Sequence, residues 1–227
     1  MLAEAEKPEH HEAAFDMSYG WEFMHLMNQV ATGKDSMDVF ETYMAKEDTN
    51  FVASAYRMMF ITNHDENSWN GTVFERYGDA HQAYAVLAFT INGMPLVYSG
   101  QEAGMSKRLR FFEKDTINWG NYAYQDFYSL LLKVNKEEEA LWNGHYGGNF
   151  SRIRTTADNQ VFVFEREKNG SHVITMVNLS DSKVTPVLNN ELEGEFHSIF
   201  DNAILSEYTN GKVGLAPFGY QVFVKNR

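Results

Sequence analysis

The chain has 227 residues, 44% of them hydrophobic and 22% charged, an ordinary globular composition for one large domain or two modest ones. A formal net charge of -12 and a pI of about 5.1 repel phosphate backbones, which excludes nucleic acid as the expected partner and suits a neutral or cationic ligand. Without cysteine there are no disulfides, thiolate metal sites or cysteine nucleophiles, and no apolar run approaches the roughly 18 residues of a membrane span. Aromatic residues reach 15%, enough for a core and also for sugar-binding platforms; composition does not separate the two uses.

The N-terminal residues Met1-Leu2-Ala3-Glu4-Ala5-Glu6 lack a basic region followed by an apolar core, so they do not read as a signal peptide. They read as the end of a buried strand running into carboxylates, and a chain that opens inside a strand is expected to be a fragment. Residues 14–19 form a second strand candidate. Phe23, Leu26, Met27 and Val30 then recur at helical spacing, with Gly33 as the stop. Ser36 is the expected N-cap of a further helix with Phe40, Tyr43 and Met44 on its inner face. His10 and His11 are adjacent on a polar stretch and read as a solvated loop rather than as metal ligands.

A third strand is predicted over residues 58–62, and it stops abruptly at Asn63-His64-Asp65. In parallel α/β folds the carboxyl ends of strands are where catalytic groups collect. On a regular strand His64 and Asp65 would face opposite ways; leaving the strand here lets both reach one pocket. By itself the triplet reads equally well as a loop capping the next helix. Residues 68–71 read as a loop. Ala80, Ala83, Tyr84, Leu87, Ala88 and Ile91 make a helical stripe that ends at Asn92-Gly93 and Pro95. Residues 96–98 form a fourth short strand leading into Ser99-Gly100-Gln101-Glu102-Ala103-Gly104. Arg108 and Arg110 lie in a long connection and read as salt-bridge anchors. A last helix carries Phe127, Leu130, Leu131 and Val134, followed by the charge run Lys136-Glu137-Glu138-Glu139, a solvated face.

Strands alternating with helices over residues 1–142 imply a parallel sheet, half of a (β/α)8 TIM barrel, since a whole barrel needs about 250 residues. From residue 143 helical periodicity vanishes. Short runs at 161–165, 173–178, 184–188, 195–200 and 220–225, with Asn169-Gly170 as a hairpin signal, predict about six strands of an antiparallel β-sandwich or barrel over 143–227. The fold class is therefore α/β plus all-β.

The stretch 60–66 with Asn63-His64-Asp65 resembles the fourth conserved region of the α-amylase superfamily, glycoside hydrolase family 13. Met1-Leu2-Ala3-Glu4 resembles the third region, at the end of the fifth barrel strand. Leu96-Val97-Tyr98-Ser99-Gly100-Gln101-Glu102 is similar to the eighth strand and its loop, and the final domain resembles the family's C-terminal β-domain. The resemblance implies the C-terminal half of the barrel, strands five to eight, followed by that β-domain. It also implies roles. Glu4 matches the general acid/base, which Ala3-Glu4 fits better than Glu6 does. Asp65 matches the carboxylate that stabilises the transition state, and His64 with Asn63 lies where sugar hydroxyls are bound. A retaining glycosidase needs an acid that protonates the leaving oxygen and a carboxylate nucleophile about 5–5.5 Å away. Its oxocarbenium-like transition state is stabilised by a further fixed carboxylate.

The nucleophilic aspartate and its neighbouring arginine belong to earlier regions that have no match here, and Asp16 stands in no such motif. By resemblance, then, the chain is a fragment of a retaining enzyme acting on α-1,4-glucans such as starch or maltooligosaccharides, inactive alone. No cofactor or metal is expected within these residues; the calcium often held by this family belongs to a domain inserted after the third strand, in the missing part. Glu102, at a strand end, is a candidate to line the sugar cleft, and Trp69 is a candidate to stack on a sugar face. The alternatives are a non-catalytic carbohydrate-binding or structural module, and a family transglycosylase or isomerase such as a trehalose synthase-like enzyme. The open edges of a half barrel predict self-association. Secretion or the periplasm is expected only from what such enzymes digest.

Overall fold

The computed structural model describes residues 1–189, 192–210 and 213–226. A four-stranded, wholly parallel sheet runs in the order β1 (Leu2–Ala3), β2 (Met17–Tyr19), β3 (Tyr56–Met59), β4 (Met94–Pro95). Ala3 lies opposite Ser18, Ser18 opposite Arg57, and Met58 opposite Met94, so all four strands point the same way and their carboxyl ends share one edge. Such strands need crossovers, which the helices supply. Between β2 and β3 run α1 (Trp21–Ala31) and α2 (Asp38–Asn50). Between β3 and β4 come a π-helical turn (Glu66–Asn70), α3 (Val73–Tyr77) and α4 (His81–Thr90). α5 (Gln125–Glu137) follows β4.

Several sequence expectations shift. The third and fourth strands are paired at Tyr56–Met59 and Met94–Pro95, about two residues earlier than their apolar runs predict. Phe60 and Ile61 are fully buried beyond the last pair, so the run reports burial rather than pairing. Ser36 does not cap α2: Met37 holds that position without a side-chain bond, and the Ser36 carbonyl accepts from the amide of Val39. Residues 68–71 are mostly one wide helical turn instead of a loop. His11 is not solvated. It is buried in a short 3-10 turn (Pro8–His11), shares a 2.7 Å hydrogen bond with the Ser18 hydroxyl, and packs edge-on against Phe51.

The second sheet is antiparallel, in the order β5 (Asn149–Ile153), β6 (Val161–Lys168), β7 (Ser171–Asn178), β9 (Tyr220–Lys225), β8 (Phe196–Ser198). The hairpin β6–β7 turns on Asn169 and Gly170, both at positive φ (50° and 87°), the two-residue geometry that Asn-Gly favours. Strand alternation sorts the side chains. Phe162, Phe164, Val173, Val177 and Val222 join the core shared with the helices; Val161, Val163, Ile174, Met176 and Phe223 form a separate cluster on the other face. That outer face is covered by a short helix, α6 (Leu205–Thr209), and by Val184 and Leu215. The expected strand at 184–188 makes only isolated bridges, Val184 to Leu215, Val187 to Asn210 and Leu188 to Thr155. Among the described residues, then, there is one antiparallel sheet with an irregular cover instead of a two-sheet sandwich.

One core joins the two sheets. α4 packs against β7 and β9 on one side and against β4 on the other, and residues 83–90 are all buried. The stripe seen in the sequence is therefore only part of a helix that is apolar all round, as a helix between two layers must be. Phe40 of α2 meets Phe162 edge-on at 5.4 Å. No helix of the described residues is long and apolar enough to cross a membrane.

Candidate active site

Glu4, His64 and Asp65 converge at the carboxyl edge of the parallel sheet, their ligand atoms all within 4.8 Å of one another. Glu4 follows β1 directly; His64 and Asp65 open a helical turn after the four residues that follow β3. The His64 Nε2 lies 3.7 Å from an Asp65 carboxylate oxygen, with His64 half exposed and Asp65 29% exposed. Glu6, the rival of Glu4 in the sequence, is committed elsewhere. Its carboxylate accepts from Arg57 at 2.8 Å and from the amide of Glu22.

The turn that carries His64 and Asp65 is pinned on both sides. Asn63 is 1% exposed, and its Oδ1 accepts from the Glu66 amide at 2.8 Å, so its side chain works as a helix cap rather than as an open sugar contact. Glu66 is buried at 5% exposure and accepts from the Trp21 indole and the Asn70 amide, with Arg76 at 3.6 Å. Arg76 also donates to the Ile61 carbonyl at 2.6 Å. A buried carboxylate needs such partners, and together they fix where Asp65 leaves the core.

Tyr19, at the end of β2, was not legible as a site residue. Its ring stacks on Trp21 at 4.5 Å and meets Phe60 edge-on. Burial pushes its phenol above the usual range, and the negative charges of Glu4 and Asp65 push it further. It thus stays a neutral hydroxyl beside both carboxylates. Glu102 lies outside the cluster: its carboxylate accepts from the Gly100 amide at 2.9 Å, a loop-closing role. Trp69 is 56% exposed, on the surface next to Phe111, whose ring in turn faces His64. Arg108 makes the expected anchor, a two-toothed bond to Glu75, and Arg110 pairs with Glu113. Three ligand atoms could also approach a divalent cation, but Glu4 and His64 are exposed and three ligands leave a coordination shell open.

Two carboxylates and an imidazole thus gather at the carboxyl edge of a parallel sheet, the edge where catalytic groups collect in α/β folds. The family described as the α-amylase catalytic domain matches residues 5–139, well over half of the chain, and the chain belongs to that glycoside hydrolase family. Among curated relatives, a cyclomaltodextrinase of Thermoanaerobacter pseudethanolicus is 28% identical over 195 residues, covering 80% of this chain and 31% of the relative. A β/α-amylase of Paenibacillus polymyxa is 28% identical over 186 residues, covering 74% of this chain and 14% of the relative. The chain thus spans less than a third of either relative. The solved maltogenic α-amylase AmyB of Thermotoga neapolitana superposes with a TM-score of 0.79 at 16% identity, over 98% of this chain and 54% of that one. An α-amylase of Lactobacillus plantarum superposes at 0.76 over 98% and 50%. At these identities the likeness is one of fold: the chain shares about half of an amylase-type structure.

Proposed function

We propose that this chain supplies the acid/base half of a retaining hydrolase acting on α-1,4-glucans, with the nucleophile contributed from outside these 227 residues. The observation that carries the reading is the convergence of Glu4, His64 and Asp65 within 4.8 Å. Glu4 and the adjacent pair His64-Asp65, two segments far apart in sequence and each singled out by its motif, meet at one edge of the sheet. Glu4 protonates the glycosidic oxygen as the bond to the anomeric carbon breaks, and then takes a proton from the water that releases the sugar from the nucleophile. Asp65 faces the positive charge that develops on the sugar ring, and His64 donates to a hydroxyl of the same ring. The open order of four parallel strands, and coverage of about half of each solved neighbour, support reading residues 1–142 as strands five to eight of a barrel and 143–227 as its C-terminal β-domain.

The test is reducing-sugar release from maltoheptaose by the longest open reading frame containing this chain. Glu4→Gln and Asp65→Asn should each lower kcat by a factor of at least about 100, the range for loss of an acid–base or charge-stabilising group. Release by the 227-residue chain alone, abolished in Asp65→Asn, would show that the nucleophile lies within it and overturn the division of labour.

A further inference from the structure

Beside the carboxylate cluster stands a group of aromatic rings that core packing does not explain. Phe112 is 85% exposed, Trp69 56% and Phe111 38%. They are nonetheless contiguous, with ring centroids 4.9 Å apart for Phe111–Phe112, 5.1 Å for Trp69–Phe111 and 6.0 Å for Trp69–Phe112. The His64 ring lies 5.9 Å from Phe111 at an interplanar angle of only 20°, so the rings continue directly from the site. They line an open cleft of about 510 Å³ with Ser68, Leu109 and Glu113. Contiguous exposed apolar surface of this kind marks binding more often than accident.

The rings are also held in place. Asn67, buried behind them, accepts from the Leu109 amide at 2.8 Å and donates to the Lys107 carbonyl at 3.2 Å. Arg108 is forked onto Glu75, which itself closes the capping box of α3 with Thr72. Asp115 accepts from Lys107 and from the amides of Arg110 and Thr116. The loop 107–116 thus keeps two phenylalanines out of the core and facing Trp69, and a ligand that lands there finds the rings already ordered.

We propose, building on the α-glucan reading above, that Trp69, Phe111 and Phe112 form a stacking subsite for consecutive glucose units of the same maltooligosaccharide whose reacting bond lies at Glu4 and Asp65. A pyranose offers an apolar face of C–H groups to a ring, and it carries no charge to be repelled by a chain of net charge -12. The rings are tilted to one another by 43°, 61° and 79°. Coplanar rings suit the flat ribbon of a β-1,4-glucan. Mutually tilted rings suit the curved path of an α-1,4-linked chain, which turns from one unit to the next.

The subsite lies wholly within this chain, so binding needs no missing part. Titrate the purified 227-residue chain with maltoheptaose and with cellohexaose, by calorimetry and by following the Trp69 indole resonance, identified by its loss in Trp69→Phe. The Trp69 signal should move with maltoheptaose only. Phe112→Ala should weaken binding about 5–10-fold, the size of one aromatic contact, with an unchanged urea midpoint because the ring is exposed. Maltoheptaose binding that moves neither the Trp69 signal nor, in Phe112→Ala, the affinity would overturn the subsite and leave the α-glucan reading standing. Binding of cellohexaose in its place would overturn both. Failure to bind either sugar would overturn the subsite, while the reading would still face its own test in sugar release.

Discussion

His11 and Ser18 show how a side chain that looks solvated in the sequence acquires a shifted protonation equilibrium. Ser18 has one hydroxyl proton. Its oxygen accepts from Arg57, and the same hydroxyl shares a 2.7 Å hydrogen bond with the His11 Nε2, which brings the Arg57 charge close to the ring. Burial, and after it the Arg57 charge, hold the imidazole below its usual 6.5; burial does the same for His81. Each ring binds fewer protons folded than unfolded, so its stabilising contribution is complete above pH 6.5 and is lost as pH falls through its depressed folded value. His197 runs the other way. The hydrogen bond it donates to Glu195 raises it, so its contribution holds at low pH and fades as pH rises, and that site is exposed. Urea unfolding at about pH 5.5 and 7.5 should show wild type gaining stability with pH, and His11→Gln gaining less. An identical gain in both proteins would remove His11 as a source. At this scale the sequence was informative where chemistry is announced by abrupt change. Glu4, His64 and Asp65 each interrupt an apolar run at a strand end. Tyr19, Phe111 and Phe112 carry no such mark, because an aromatic residue in a sequence does not say whether it faces core or cleft.

Arg57 belongs to the scale of elements, since it ties three of them together. It sits in β3 at 6% exposure, donates to Glu47 of α2 at 2.6 Å, to Glu6 beyond β1 at 2.8 Å and to Ser18 of β2, and its guanidinium lies 4.1 Å over Phe51. Arg57→Met should cost about 3–5 kcal/mol, because it strands the buried Glu47 carboxylate. Adding Glu47→Leu should recover most of that loss. Equal midpoints for single and double variants in urea would show that desolvation of Glu47 is not the cause. The helices and the hairpin were legible from period and turn chemistry. The strand limits were not, because Phe60, Ile61, Leu96 and Val97 are apolar for packing beyond the last ladder pair. Nor could the sequence reveal that 184–188 pairs only through single bridges: its β-rich composition suits a strand, and its partners are decided by distant segments.

Arg166 acts on the whole molecule. It lies in β6 with no exposed surface and, among the described residues, meets no carboxylate. Its guanidinium donates instead to the carbonyls of Ile91, Leu141, Trp142 and Gly148, at 2.8–3.2 Å, and to the Asn92 side chain at 3.4 Å. Burial brings its pKa down to about 9, which leaves it charged at neutral pH. One side chain therefore collects the end of α4, the turn after α5 and the antiparallel sheet. Arg166→Met should destabilise by roughly 3 kcal/mol or more, since several buried carbonyls lose a charged donor at once. Limited proteolysis should then cut first near residues 142–148. A loss below about 1 kcal/mol would mean that water replaces the guanidinium there. The same joint has a consequence for how such chains can be recombined. The antiparallel sheet is not an interchangeable module, because α4 and Phe40 are finished by its inner face and its own arginine is finished by carbonyls of the parallel half. A graft that exchanged residues 143–227 alone would leave both partners with an unmatched surface, so exchange between relatives is confined to pieces that carry α4 and its covering sheet together.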